Sequence, residues 1–119
     1  MSIASYIKSA DWKAEKHVPV ITVEGQFVLG RPLDVEVSVG KEIPHPNTVE
    51  HHIAWIDLYY VADGGTLPVE LGRAEFCTHG ALATAPVAKF RVTLDGPGTL
   101  HAVAYCNLHG LWESTARVA

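Results

Sequence analysis

Three short stretches of this sequence carry residues able to do chemistry together. Near the end, "YCNLHGLWE" (105–113) sets Cys106 and His109 three positions apart, directly after an apolar run. A cysteine that closes a core strand, followed by a turn bearing a histidine, can deliver sulfur and nitrogen to one metal ion. Taken alone, the pair is read equally well as a buried free thiol beside a turn histidine. A second stretch, "GKEIPHPNTVEHHI" (40–53), places His45 between two prolines and His51 six residues later. Pro44 and Pro46 hold the backbone extended, which aims His45 at low entropic cost. His51 and His52 are adjacent at the start of a strand, so their side chains leave by opposite faces and at most one joins a common site. In the third stretch, "EKHVPVI" (15–21), His17 stands just before a strand with Glu15 and Lys16 beside it. By itself this is a surface charge triplet.

Together the stretches supply four imidazoles and one thiolate. Tetrahedral zinc takes four protein ligands in a structural site and three in a catalytic one, so five are too many. A blue-copper centre uses two His, one Cys and an axial Met. The layout of strand, Cys, loop and His suits it, but the single methionine is Met1. Copper is the runner-up. A facial-triad iron site would leave Cys106 unexplained. Iron with a fifth protein ligand and one open position fits best.

The elements that must position these residues follow a period of two. "LDVEVSV" (33–39) alternates apolar and polar without a fault, as a strand with one buried face does. "IAWIDLYYV" (53–61) runs into Ala62-Asp63-Gly64-Gly65, a hairpin signal, and "LPVELGRAEF" (67–76) is the return strand. "VAKFRVTL" (87–94), the turn at 95–98 and "TLHAVAYC" (99–106) form another pair. With "VPVITV" (18–23) and "WESTARV" (112–118) there are seven strands, the pattern of an all-β, seven-stranded immunoglobulin-like β-sandwich. Ile3, Tyr6 and Ile7 are spaced for a short N-terminal helix before Asp11.

The chain has 119 residues, which suits one domain spanning 1–119. It is 48% hydrophobic and 18% charged, a globular composition. A net charge of -4 with scattered Lys and Arg argues against nucleic acid or a membrane surface as partner. No apolar run approaches a bilayer span, and the first residues lack a basic segment followed by an apolar one. A soluble, cytoplasmic protein with thiols rather than a disulfide is expected.

The three stretches, in this order and near this spacing, resemble the one-iron superoxide reductases, the neelaredoxin-like proteins that share the desulfoferrodoxin iron-binding domain. The match continues through "AWIDLYY" and "GRAEF" and covers most of the chain. The resemblance implies one mononuclear iron per chain in a square pyramid. Its four equatorial histidines map onto His17, His45, His51 and His109, and its axial thiolate onto Cys106. The glutamate that fills the sixth position in the oxidised resting state maps onto Glu15, and the lysine that draws in superoxide onto Lys16. His52 and His101 fall outside the pattern. Cys77 and His79 match no ligand pattern, so a structural or incidental role is expected. Two-iron relatives add an N-terminal Cys-rich centre, which has no counterpart here.

The implied reaction takes one superoxide, one electron from ferrous iron and two protons to hydrogen peroxide, without release of oxygen. A rubredoxin-like donor and assembly as a homo-oligomer, dimer or tetramer, are implied as well. Lys16 would answer a specific difficulty: an anionic substrate meets a net negative protein, and a local cation reverses the field within a screening length of about 8 Å. Backbone amides of the "NLHG" turn are expected to hydrogen-bond the Cys106 sulfur. Two other readings stand beside the enzyme. A non-catalytic iron protein that transfers electrons would keep the five ligands and shield the open position, and a sandwich binding module would hold no metal.

Overall fold

The structure is a computed structural model that describes residues 1–119. Alternating side chains produce seven strands: β1 (Pro19–Glu24), β2 (Leu33–Val39), β3 (Ile53–Ala62), β4 (Val69–Glu75), β5 (Val87–Val92), β6 (Gly98–Cys106) and β7 (Gly110–Val118). All pair antiparallel, in one sheet of order β1-β2-β5 and another of order β4-β3-β6-β7. The seven-stranded immunoglobulin-like sandwich expected from the sequence is the observed architecture.

The core lies between the sheets. Along β6 every second residue is buried, from Gly98 through Leu100, Ala102 and Ala104 to Cys106. Ile56 and Leu58 of β3 and Val37 of β2 are fully buried against them. Each such aliphatic side chain contributes on the order of 1.5–3 kcal/mol relative to exposure.

Three details differ from expectation. The N-terminal helix is a single 3-10 turn, Ile3–Tyr6, with no side-chain cap. Ile3 and Tyr6 stay exposed, so no buried face supports a longer helix. The chain turns extended at Ile7, and Lys8 then bridges in parallel to Trp112. β4 starts after Pro68, because proline brings no N–H to the ladder. β7 starts at Gly110 rather than Trp112, since the last hairpin closes on the pair Cys106↔Gly110.

Register brings distant segments to one end of the sandwich. Pro19 pairs with Val39, Ile53 with Cys106, and Cys106 with Gly110. The start of β1, the end of β2, the start of β3 and the β6–β7 turn therefore share that end. Ser114 on β7 donates a 2.6 Å hydrogen bond to the Pro19 carbonyl and ties the sheets there. A bulge at Ala54, between Ile53 and Trp55, re-aims the chain as it enters β3.

Candidate metal centre

Each of the three stretches enters this end from a different connection. His17 lies two residues before β1, His45 and His51 on the β2–β3 crossover, and Cys106 and His109 on the last hairpin. Two glycines make the approach possible. Gly40 has φ +84°, and a Cβ there would stand 2.6 Å from the His45 nitrogen, so the crossover packs against bare backbone. Gly110 has φ +79° and closes the short turn that carries His109.

The four predicted histidines form a closed circuit. Ring centroids are 4.8 Å apart for His17–His45, 4.7 Å for His45–His51, 4.9 Å for His51–His109 and 4.8 Å for His17–His109. Neighbouring rings cross at 63° to 79°. Across the circuit, His17 and His51 lie 6.2 Å apart, tilted by 30°. One donor atom each of His17, His51, Cys106 and His109 lies within 4.8 Å of every other. Cys106 is fully buried, with Sγ 3.7 Å from His109 Nδ1, while His109 itself is exposed and forms the rim.

For His17 and His45, hydrogen bonds to the outer nitrogen decide which nitrogen turns inward. His45 Nδ1 is 2.7 Å from the Pro46 carbonyl, which can only accept, so Nδ1 carries the proton and Nε2 keeps its lone pair. His17 Nδ1 donates to Glu15 Oε1 at 2.6 Å, and its Nε2 lies 3.1 Å from His109 Nδ1. Buried Nε2 atoms of His45 and His51 have no hydrogen-bond partner. Such orphans are costly in a folded protein unless something binds them. Burial, reinforced by the charges of His17, His51 and Lys16, pushes His45 down to about 4 even though its bond to Pro46 favours protonation. Burial, then the charges of His109, His17, Lys16 and His52, lowers His51 as well. Inward nitrogens, those of His45 and His51 held towards the neutral form, beside a buried sulfur are the donor set of a borderline-to-soft transition metal, and iron fits them.

Glu15 and Lys16 sit at the edge of this circuit. The Glu15 carboxylate takes both the ring Nδ1–H and the backbone N–H of His17, on the ring's outer side. Burial would raise its carboxyl, but these bonds and the His17 charge more than offset that and hold it below the usual range. Half-buried Lys16 lies near enough to act electrostatically on His45 and His51.

The histidines set aside in the sequence lie elsewhere. His52 donates from Nδ1 to the Thr48 carbonyl and stacks on His79, with centroids 3.6 Å apart and 5° between planes. His79 also contacts Asn47 Oδ1 and the Phe76 carbonyl, so it braces two loops. His101 is on the outer face of β6, and Cys77 is an exposed free thiol. The Asn107 amide donates to the His52 carbonyl rather than to the Cys106 sulfur, whose hydrogen-bonding neighbour is His109 Nδ1 at 3.7 Å. Sequence reasoning missed Trp112, which stacks on His17 at 4.9 Å and 13° and donates from Nε1 to the His109 carbonyl. Its only signal was an aromatic three residues beyond His109.

Residues 9–115 match the family model described as Desulfoferrodoxin. The chain is 54% identical over 112 residues to a superoxide reductase of Pyrococcus horikoshii, covering 94% of this chain and 95% of that one. It is 41% identical over 128 residues to the neelaredoxin of Megalodesulfovibrio gigas, covering 100% and 98%. The solved structure of Archaeoglobus fulgidus superoxide reductase (neelaredoxin) in the reduced form superposes with a TM-score of 0.88 at 48% identity, over 96% of this chain and 98% of that one. Matches of this extent and identity, on a fold that gathers the same three stretches, place the chain in the desulfoferrodoxin family, among the neelaredoxin-type superoxide reductases.

Proposed function

We propose that this chain is a superoxide reductase that takes superoxide to hydrogen peroxide at one iron held by His17, His45, His51, His109 and Cys106. The observation that carries the reading is that donor atoms of His17, His51, Cys106 and His109, brought by three connections, lie within 4.8 Å of one another, with the His45 ring 4.7 Å from that of His51 and 4.8 Å from that of His17. Iron held there would supply one electron and a Lewis-acid site for a small anion. Inward nitrogens are Nε2 of His17, His45 and His51 and Nδ1 of His109.

The protein's own groups divide the remaining work. Glu15 and the Pro46 carbonyl hold the outer protons of His17 and His45, which fixes tautomer and ring direction before metal arrives. Cys106 supplies an anionic sulfur; a buried thiolate without a cation would be strongly disfavoured, so thiolate and metal stabilise each other. Lys16 places a positive charge beside the circuit and attracts the anion against the net charge of the chain. His109 is exposed, so solvent reaches this rim of the circuit. The family resemblance also implies that Glu15 would hold the iron in the oxidised resting state.

The reading extends beyond the site. Residues 1–119 act as one iron-binding domain, electrons arrive from a rubredoxin-like donor, and the protein works in the cytoplasm as a homo-oligomer. Family resemblance supports these parts, and no helix is long and apolar enough to cross a membrane. Iron content of the purified protein, joined to pulse radiolysis of its reduced form with superoxide, tests the function. One iron per chain and rapid oxidation with formation of peroxide are expected. Iron that is present but inert to superoxide and azide would make this an electron-transfer protein instead.

A further inference from the structure

Asn107 touches no predicted donor, yet it grips the residues on both sides of one. Its Oδ1 accepts the His52 backbone N–H at 2.8 Å, its Nδ2 donates to the Glu50 carbonyl at 3.0 Å, and its own N–H donates to the His52 carbonyl at 3.2 Å. Between Glu50 and His52 stands His51. We propose that Asn107 is a positioning residue that sets the His51 imidazole against the Cys106 sulfur, and through that spacing governs metal affinity and the thiolate–metal absorption. The inference rests on the metal reading above.

Thr48 and Asn107 do different jobs on this segment. Thr48 Oγ1 accepts the His51 N–H at 3.1 Å, and the Thr48 N–H donates to the His51 carbonyl at 2.9 Å. These bonds span three residues and give the loop its shape. They say nothing about where the loop sits. Asn107 reaches across more than fifty residues of sequence and directly follows Cys106, so it fixes the place of the loop relative to the sulfur. With both sets made, the backbone groups Glu50 O, His51 N, His51 O, His52 N and His52 O are all engaged. A carboxamide is suited to this, since it presents one acceptor and one donor side by side in a rigid plane. Aspartate keeps the acceptor and loses the donor; alanine loses both.

The test uses full-length protein and cobalt(II) as the probe ion. Wild type, Asn107→Asp, Asn107→Ala and Val118→Ala are compared for cobalt dissociation constant, thiolate-to-cobalt absorption and apo melting temperature. Val118 is buried at the end of β7 remote from the site, where it pairs with Gly98, and serves as a purely structural lesion. Asn107→Ala should weaken cobalt binding by about 10- to 100-fold and displace the thiolate band, with Asn107→Asp intermediate. Val118→Ala should lower the melting temperature and leave affinity and band where they were. Unchanged affinity and band in both Asn107 variants would overturn the proposal, as would equal changes in Val118→Ala. Should Asn107→Ala not fold, Asn107→Asp decides the matter by itself. A wild-type protein with no thiolate band would overturn the metal reading, an outcome distinct from any result on the variants.

Discussion

One carboxylate oxygen of Glu15 lies 2.6 Å from Nδ1 of His17 and 2.8 Å from the His17 backbone nitrogen. The residue beside the site thus holds a ring by its outer edge, and Trp112 supports the face of that ring at 4.9 Å. Glu15→Ala removes the anchor and frees the imidazole to rotate. Metal affinity should fall by about 10- to 100-fold in a chelator competition, while the rate of encounter with superoxide stays near wild type. The oxidised spectrum should shift as well if Glu15 takes the sixth position. Unchanged affinity would remove its orienting role.

Lys16→Ala tests the local field. Superoxide association should slow severalfold and its dependence on ionic strength should flatten, because the attraction acts over roughly one screening length of about 8 Å. Iron content should not change. Pulse radiolysis at several salt concentrations reads both quantities, and an identical bimolecular rate would leave Lys16 without a part in capture.

Gly40→Ala links fold to site. A Cβ would meet the His45 backbone nitrogen at 2.6 Å in a left-handed conformation of φ +84°. Destabilisation of about 1–3 kcal/mol is expected from backbone strain, with reduced metal affinity as His45 is displaced. Chemical denaturation and metal titration measure the two. A neutral substitution would show that the crossover can move away without cost.

The metal-free protein should lose stability on mild acidification. His45 is held at about 4 against an ordinary value of 6.5, so between these values the unfolded chain binds a proton that the folded chain refuses. Its contribution is full above about 6.5 and declines as pH falls towards about 4. His51, lowered in the same direction, adds to the trend. Calorimetry of apo protein across that window should show a falling melting temperature. A flat profile would mean that the crossover already opens and lets these rings protonate.

How much of this was visible beforehand depends on the range of the interaction. Leu33–Val39 announces its strand because alternation is local, and "YCNLHGLWE" announces a strand-end thiol and a turn imidazole for the same reason. The family resemblance supplied the mapping that joined these to His17, His45 and His51. What stayed hidden is long-range and side-chain specific. Nothing near His79 in the sequence indicates that its ring stacks on His52, and Asn107 looks like an ordinary turn residue until the Glu50–His52 backbone lies opposite it. The N-terminal segment misleads in the opposite way. Ile3 and Tyr6 have helical spacing, yet Lys8 pairs with β7 on both sides of Trp112, through the Leu111 carbonyl and the Glu113 N–H, and the helix is cut short.

The convergence of Nε2 of His17, His45 and His51, Nδ1 of His109 and Sγ of Cys106 upon one ion is tested most directly by anomalous scattering at the iron absorption edge from crystals of the iron-loaded protein. One peak per chain, within bonding distance of all five atoms, is the predicted result. A peak held by fewer of them, or by Cys77 in place of Cys106, would contradict it.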